Sequence, residues 1–457
     1  MERVGVTFEC QEALDLLSDA GADVSNPKRV KIPSYLVEQA IRTAPKSITL
    51  YTREGEPAIT LNQTQGAHFG TLTGCPYFLD PYTRQPRLVY VEDTISMSRL
   101  CDALPNIDWI YTTIAYRTVP ADIADKVVLL QAILNNSKPV AVCSNDVASF
   151  REMVELCSIV AGGEEQLRAK PFLIGTSEPV SPVVQGKDAM EKSLLCAEKG
   201  LPNFIYGMQM SGATTPATFA GTLVISAAES LSQLVVVQLK NPGTPVIFGG
   251  MPGIMDMKTT TYSFGAPELS LMIGALTELS HYYGLPMFGT AGATDARSMG
   301  AQMAAEVTYS CFLALLTGAD LVHDISLMYS ATMESPELTV FADEVIGMLK
   351  AFMRGIEVND ETIPMDLIER VGPGGNFLSE AHTLQHFRKF WVPTIFDRSR
   401  EMEKAKFCED LLNEKTIKIL ETYEPKPLPE DTVKELKKVE AGWFKRLGIE
   451  HKYLKRE

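Results

Sequence analysis

From residue 109 onward the chain alternates short apolar runs with longer amphipathic stretches. Short runs that are apolar throughout are typical of parallel strands covered on both faces. A strand followed by a helix, repeated every 30 to 42 residues along this chain, indicates a series of βα units. The seven apolar runs open at Trp109, Pro139, Pro171, Asn203, Pro245, Pro286 and Asp320.

Seven βα units in series favour one fold class, an α/β protein built as a closed (β/α)8 TIM barrel. The alternative is a doubly wound sheet, which would carry a glycine-rich phosphate loop after its first strand, and none follows here. The eighth barrel strand has two candidates, the hairpin-like segment 67–80 and the segment FWVPTIFD at 390–397.

The segments on either side of these units predict additions to the barrel. Residues 1–107 carry helix and hairpin signals and are expected to form an N-terminal cap, with the catalytic barrel spanning 108–398. Residues 399–457 form a charged helical extension that ends in a basic amphipathic helix. We expect this helix to pack on the barrel, with docking of a partner protein as the alternative.

The composition excludes several classes of protein. The chain has 457 residues, 45% of them hydrophobic, and a formal net charge of −15, so disorder and nucleic-acid binding are both disfavoured. No uncharged apolar stretch of about 18 residues appears, which argues against a membrane span. The eight cysteines are scattered, and the first residues lack the apolar core of a signal peptide. We therefore expect a cytoplasmic protein with free thiols.

Active sites of TIM barrels lie at the carboxyl ends of the strands, where the βα loops meet. His323 and Asp324 lie at such an end and are candidate catalytic residues, as is Asp295 at the end of another strand. Arg297 would place a guanidinium beside the pocket, which suits a carboxylate ligand. The other strand-end residues are Tyr116, Arg117, Asn145, Asp146, Ser177, Glu178, Gln209, Met210, Met251, Asp256 and Thr294.

The loops are also rich in aromatic residues and methionine. Tyr77, Phe78, Tyr206 and Tyr262 are candidates for an aromatic lining that recognises a quaternary ammonium group through cation–π attraction. The motifs GxSxG, HExxH, GxxxxGK[ST] and GxGxxG with a trailing acid are all missing from the sequence. Serine hydrolase, zinc protease, nucleotide hydrolase and dinucleotide-binding functions therefore lose their usual support.

Four segments together resemble the trimethylamine:corrinoid methyltransferase family. They are RVKIPSYLVEQAIRTAPKSITLYTR at 29–53, the segment 211–250 that opens SGATTPATFAG, GTAGATDARSMGAQMAAEVTYS at 289–310 and GPGGNFLSEAHTLQHFRKFWVPTIFDRS at 372–399. The resemblance extends from near the N-terminus to about residue 400. It implies a (β/α)8 barrel, in agreement with the fold argued from the apolar runs.

The trimethylamine enzymes of that family carry pyrrolysine, and this sequence has ordinary residues throughout. The chain is therefore similar to the branch without pyrrolysine, which demethylates quaternary amines such as glycine betaine. The resemblance implies transfer of a methyl group to Co(I) of a corrinoid on a separate cognate protein, with no cofactor bound tightly to this chain. It also implies a homo-oligomer. In this interpretation the four aromatic candidates hold the trimethylammonium group, Arg297 and His323 bind the carboxylate, and Asp295 or Asp324 attracts the cation.

Three alternatives stay open at this point. The substrate could be proline betaine or carnitine, because one or two side chains decide the shape of the pocket. The protein could bind a quaternary amine without catalysing its demethylation. A zinc-activated methyltransferase would need converging Cys, His or Glu ligands, for which Cys143 and His323 are available and a clear third ligand is not.

Overall fold

Eight parallel strands close into a barrel in the computed structural model, which describes residues 1–112 and 119–453. Each strand pairs with the next one along the chain, and the last pairs with the first. The fold class predicted from the apolar runs is therefore confirmed. The barrel strands are β1 His68–Thr73, β2 Trp109–Thr112, β3 Val140–Val142, β4 Leu173–Ser177, β5 Asn203–Ile205, β6 Val246–Gly249, β7 Met287–Thr290 and β8 Leu321–Ile325.

One helix after each strand completes the (β/α)8 pattern. The apolar face of each helix covers the outside of the barrel, which is why strands such as β3 and β6 are apolar at every position. The helices are α1 Val91–Ala103, α2 Ala121–Asn135, α3 Val147–Ala161, α4 Lys187–Lys199, α5 Phe219–Lys240, α6 Pro267–Tyr283, α7 Ala301–Thr317 and α8 Pro336–Met353, with a further short helix at Glu164–Ala169.

The strand that the apolar runs left undecided is β1, the first in the barrel. It lies within the segment 67–80, whereas the segment 390–397 packs outside the barrel against α8 through a contact between Phe396 and Phe341. The predicted boundary at residue 108 thus falls inside the barrel, which begins at His68. Gly70 is required in this strand because a Cβ there would lie 2.4 Å from the Trp109 indole.

The N-terminal segment closes one end of the barrel. An antiparallel hairpin of Ile48–Tyr51 and Pro57–Leu61 crosses that end, and the Tyr51 amide donates to the carbonyl of Pro171, just before β4. Helices Gln11–Asp19 and Ser34–Thr43 pack beside it on α5. The opposite end, where the strands finish, is the one through which a substrate can enter.

The C-terminal extension runs along the outside of the barrel. Helix Cys408–Thr422 packs on α8 and α1, and helix Glu430–Leu447 packs on α3 and α2 with Trp443 and Phe444 buried. The amphipathic helix at the end of the chain is thus docked on its own barrel. Two shorter helices, Met365–Val371 and Ala381–His386, precede them, and single 3₁₀ turns lie at Pro27–Arg29, Phe387–Lys389 and Met402–Lys404.

Helix α5 is long and apolar enough to cross a membrane by length and composition alone. About two thirds of its most apolar stretch is buried, because it packs on β6 and on α4. The core helix of a barrel has this composition, so the helix is weak evidence for a membrane span.

Short strands cover the open end of the barrel. Those in the loops after β1 and β8 form one small sheet, and those after β5 and β6 form another. The first contains Tyr77–Leu79, Pro86–Leu88, Leu327–Met328 and Met333–Glu334, and the second contains Met210–Ser211, Gly253–Asp256 and Thr261–Tyr262. A further pair, Thr7–Phe8 with Val184–Gln185, joins the N-terminus to the loop after β4.

Candidate active site

A bulge at the end of β8 brings His323 and Asp324 together. The pairing of β8 with β1 slips by one residue between Val322 and Ile325, so β8 carries one residue more than its partner. His323 Nε2 lies 3.2 Å from Asp324 Oδ1, and both side chains are buried. Asp324 has a φ of 83°, a left-handed conformation that few side chains adopt. Adjacent strand residues normally face opposite sides, and the bulge allows these two to share a site.

Beneath the imidazole lies a layer of buried aromatic rings, referred to below as the aromatic floor and made of Tyr111, Phe204, Tyr206 and Phe288. Phe204 and Phe288 are stacked with centroids 4.1 Å apart, and the hydroxyls of Tyr111 and Tyr206 lie 3.1 Å apart. The His323 ring centroid is 4.6 Å from that of Phe288 and 6.0 Å from those of both tyrosines. The site is therefore apolar and aromatic on one side.

Burial disfavours the charged form of both members of the His323–Asp324 pair. Burial lowers the pKa of His323, and the opposing attraction of Asp324 is smaller. Burial raises the pKa of Asp324, while His323 and a hydrogen bond from the Thr290 hydroxyl act in the opposite direction. Above the raised pKa of Asp324, the pair therefore carries one negative charge over the aromatic floor.

A second carboxylate, Glu178, follows directly after β4 at the open end and is exposed. Desolvation by the surrounding protein raises the pKa of Glu178, and the positive charge of Lys192 acts in the opposite direction. Its charge also acts on both floor hydroxyls and helps to raise the pKa of Tyr111 and of Tyr206, for which burial is the larger cause. Glu178 thus adds negative potential on the accessible side of the floor.

Glu229 holds the loop that carries Glu178. Its buried carboxylate accepts hydrogen bonds from the Val183 amide at 2.8 Å, from the Ser181 hydroxyl at 3.0 Å and from the Gln209 side chain. The sequence pattern gives no indication of Glu229, which lies in the middle of α5. It acts by positioning the loops after β4 and β5 around the floor.

The Asp295 carboxylate accepts hydrogen bonds from two neighbouring loops. Its oxygens accept from the Ser263 hydroxyl, the amides of Phe264 and Gly265, and the Ser330 hydroxyl. The structure therefore places this predicted catalytic residue as an anchor of the loops after β6 and β8.

Tyr262 lies close to both predicted acids. It is buried, its hydroxyl donates to the Met251 carbonyl at 2.9 Å, and its ring packs edge to face on Phe264. Burial raises its pKa, and the charges of Asp324 and Asp295 add to the effect.

Three predicted substrate-binding residues lie outside the cluster of His323 and the floor. Tyr77 is half exposed in the small sheet over β1 and β8, and Phe78 is buried beneath the guanidinium of Arg87 at 4.7 Å. Arg297 is exposed, stacks on Tyr329 at 4.6 Å and lines a surface cavity of about 390 Å³. Tyr116 and Arg117, named among the strand ends, lie outside the described residues.

Another buried acid near β8 is Glu334, and burial raises its pKa to about 8. Its Oε2 accepts from the Gly74 amide at 3.2 Å, whereas Oε1 has no hydrogen-bond partner among the described residues. Glu334 is therefore protonated at neutral pH, and it contributes no charge to the site there.

No three His, Cys, Asp or Glu side chains converge as a metal site anywhere in residues 1–112 and 119–453. Cys143 and His323, the two ligands weighed for a zinc-activated enzyme, acquire no third partner within that part of the chain. The polar groups at the strand ends are thus those of a barrel enzyme whose site is built from aromatic rings, carboxylates and one imidazole.

Comparison with known proteins identifies the family to which this barrel enzyme belongs. The family profile described as trimethylamine methyltransferase (MTTB) matches residues 1–441. The chain belongs to the trimethylamine methyltransferase family and is a methyltransferase, which confirms the resemblance found in its sequence.

Two similar proteins from Desulfitobacterium hafniense are named for different substrates. The trimethylamine methyltransferase MttB of strain DSM 10664 / DCB-2 is 35% identical over 96% of this chain and 89% of that protein. The glycine betaine methyltransferase of strain Y51 is 32% identical over 87% of this chain and 83% of that protein. The family is thus established, and its members differ in the amine they act on.

Among solved structures, the monomethylamine methyltransferase MtmB of Methanosarcina barkeri matches with a TM-score of 0.51. The alignment covers 96% of both chains at 11% sequence identity. At that identity the likeness concerns the fold, and it agrees with the closed barrel described above.

Proposed function

We propose that this methyltransferase takes a methyl group from a quaternary amine, with glycine betaine as the first candidate. The acceptor is the Co(I) of a corrinoid held by a separate cytoplasmic protein, and the product is dimethylglycine. The observation that carries the proposal is the buried pair of His323 and Asp324 above an aromatic floor. A relative named glycine betaine methyltransferase, matched over most of both chains, supports the same substrate.

A quaternary ammonium group suits this arrangement because it has no N–H to donate. It is held by ring faces and by nearby negative charge rather than by hydrogen bonds. Tyr111, Tyr206 and Phe288 supply the rings, and Asp324 and Glu178 supply the charge. The departing group is a neutral tertiary amine, so the chain needs no acid to protonate it, in agreement with the low pKa of His323.

The role left to the protein is to bind and orient the methyl group and to exclude water from it. When bound, the corrinoid would supply a strongly nucleophilic cobalt centre that accepts the methyl group. Because the hairpin closes the other end of the barrel, the acceptor has to approach from the strand ends, over the loops that carry Glu178 and Tyr262. This direction of approach supports a positioning role for the barrel, which is the contribution expected of such an enzyme.

The substrate is tested by product analysis with cob(I)alamin as methyl acceptor and a panel of amines. Glycine betaine, proline betaine, carnitine, choline and trimethylamine are supplied at equal concentration, and the demethylated products are measured by mass spectrometry. Dimethylglycine as the main product supports the proposal. Turnover of another quaternary amine changes the substrate, and turnover of trimethylamine alone contradicts the quaternary assignment.

Replacing Tyr206 with leucine is expected to raise the KM for glycine betaine roughly 30-fold. A ring that faces a desolvated cation contributes about 2 kcal/mol, and leucine fills a similar volume without a π face. The measurement is steady-state kinetics. Tyr206→Phe is the matched control, because it keeps the ring and removes only the hydroxyl contact with Tyr111, so its KM should stay within a few-fold of the wild-type value. Equal effects of the two substitutions would show that the ring is not the binding group.

Arg297 stays the proposed partner of the substrate carboxylate. We expect Arg297→Ala to raise the KM for glycine betaine about tenfold, with Arg297→Lys recovering part of the loss, because a charge-assisted hydrogen bond contributes about 1.5–3 kcal/mol. Choline, which has no carboxylate, serves as the comparison substrate. Unchanged KM and kcat for glycine betaine would place the carboxylate elsewhere and leave Arg297 as a surface residue stacked on Tyr329.

A further inference from the structure

The segment between α8 and the last two helices, residues 354–407, has almost no core of its own and is referred to below as the C-terminal arm. The structure describes every residue of the arm, and Leu367 and Ile395 are the only buried ones. A stretch of chain that buries so little apolar surface gains little order from the hydrophobic effect. Small folds of this kind are commonly held by cross-links such as a disulfide or a bound metal ion.

Two histidines of the arm lie one helical turn apart. His382 and His386 both belong to the short helix Ala381–His386, and their i, i+4 spacing places the two side chains on the same face of it. Their ring centroids are 4.2 Å apart, with an angle of 33° between the ring planes. No other two of the six histidines in the sequence are spaced in this way. The arm thus presents a close pair of imidazoles.

One nitrogen of each ring is buried and unpaired. Nε2 of His382 and Nε2 of His386 are both closed to solvent, and neither has a hydrogen-bond partner among the described residues. Buried polar atoms are normally paired, and an unpaired one calls for a group that satisfies it, such as an ion. A neutral imidazole nitrogen that carries no proton is the commonest metal ligand in proteins. Two such nitrogens on neighbouring rings therefore indicate a shared metal ion.

A carboxylate from an earlier turn of the arm faces the same pair. Glu361 Oε1 lies 3.9 Å from His386 Nε2, too far for a hydrogen bond. Two ligand atoms of a tetrahedral Zn²⁺ are roughly 3.4 Å apart, and two imidazoles on it have centroids roughly 5 Å apart, given bonds of about 2.1 Å. The three groups thus stand close to ligand geometry without converging, in agreement with the lack of a three-ligand cluster in the part of the chain that the structure describes. The Glu361 side chain is 67% exposed and therefore able to adjust.

We propose that His382, His386 and Glu361 bind a divalent transition-metal ion, with water completing its coordination. Two imidazoles and a carboxylate are ligands that suit Zn²⁺, whereas Mg²⁺ and Ca²⁺ prefer oxygen ligands alone. The ion ties the turn that carries Glu361 to the helix Ala381–His386, and it thereby orders a stretch of chain that lacks a core. The site is independent of the substrate and of the proposed reaction, because the residues described around His323 all precede residue 335.

The test is Zn²⁺ binding to the untagged full-length protein, freed of metal with a chelator and measured by isothermal titration calorimetry. We expect the wild type to bind one Zn²⁺ per chain and no Mg²⁺. The double substitution His382→Gln with His386→Gln should abolish this binding, and Glu361→Gln should weaken it roughly tenfold. His451→Gln is the matched control, because it removes a histidine that lies outside the arm. This control should bind Zn²⁺ with the wild-type affinity.

Hydrogen–deuterium exchange supplies a second readout, since Zn²⁺ should slow the exchange of amides in residues 357–386 of the wild type and leave the double variant unchanged. A wild type that binds no Zn²⁺ would overturn the proposal, as would binding that the double variant retains at the same affinity.

If the double variant loses helix content by circular dichroism, the visible and near-ultraviolet spectrum of the Co²⁺-loaded wild type is measured in its place. Bands of nitrogen and oxygen ligands alone are expected. A thiolate charge-transfer band would assign the ion to a cysteine and contradict the histidine site.

Discussion

Replacing Asp324 with asparagine is expected to lower kcat/KM for glycine betaine roughly 50-fold. For an assumed separation of about 7 Å between the substrate nitrogen and an ionised Asp324, the attraction would be about 2.4 kcal/mol at an effective dielectric constant of about 20, and that energy converts to the stated factor. Asparagine tolerates the φ of 83° at this position and can still accept from Thr290. The substitution therefore removes charge with little strain.

The pH profile separates this effect from a general loss of structure. Asp324 has a raised pKa, so the wild-type kcat/KM should fall on the acid side at a pH above the ordinary carboxyl range. The variant should lack that decline. Asp256→Asn, which removes a carboxylate from the loop after β6, should change kcat/KM less than threefold. If Asp324→Asn has wild-type kinetics across pH, the carboxylate does not act on the substrate.

Replacing Glu334 with glutamine is expected to stabilise the protein at alkaline pH and to leave it unchanged at acid pH. The folded protein holds the Glu334 proton up to a pKa of about 8, whereas the ordinary value is 4.5. Unfolding therefore releases a proton between these values, and the free energy of unfolding of the wild type falls as pH rises through that window. The full difference amounts to about 5 kcal/mol above pH 8.

Urea denaturation of both proteins between pH 4 and 9 measures this difference. Glutamine keeps an acceptor for the Gly74 amide, so the two free energies should agree below about pH 4.5 and separate above it. Glu421 is exposed in the helix Cys408–Thr422 of the C-terminal extension, so Glu421→Gln should follow the wild type at every pH. Curves for Glu334→Gln and wild type that stay parallel would show that Glu334 is not held in its neutral form.

Seven of the eight strands could be predicted because each is a short apolar run buried on both faces. The strand β1 was left undecided between two segments, since HFGTLT is partly polar and does not form a continuous apolar run. Its place depends on pairing with β2 and β8 and on the fit of Gly70 against Trp109, which are contacts between distant parts of the chain. The start of the barrel was therefore predicted too late, at residue 108.

Strand-end position identified His323 and Asp324, and the aromatic content of the loops identified Tyr206; the structure brings these three residues into one cluster. Tyr111 was missed because candidates were taken from the end of the apolar run that opens at Trp109, whereas Tyr111 lies near its start. The bulge that lets His323 and Asp324 share a site has no signal in sequence. Arg297 met the same criterion as His323, and the direction of its side chain depends on Tyr329.

The most direct test of the central claim is methyl transfer to free cob(I)alamin, followed by its visible spectrum, with glycine betaine and trimethylamine in parallel. The account predicts conversion to methylcobalamin with glycine betaine and none with trimethylamine. Conversion with trimethylamine but not with any quaternary amine would contradict it. Binding of glycine betaine without methyl transfer, to the free acceptor or to a corrinoid protein, would identify a binding protein that lacks the reaction.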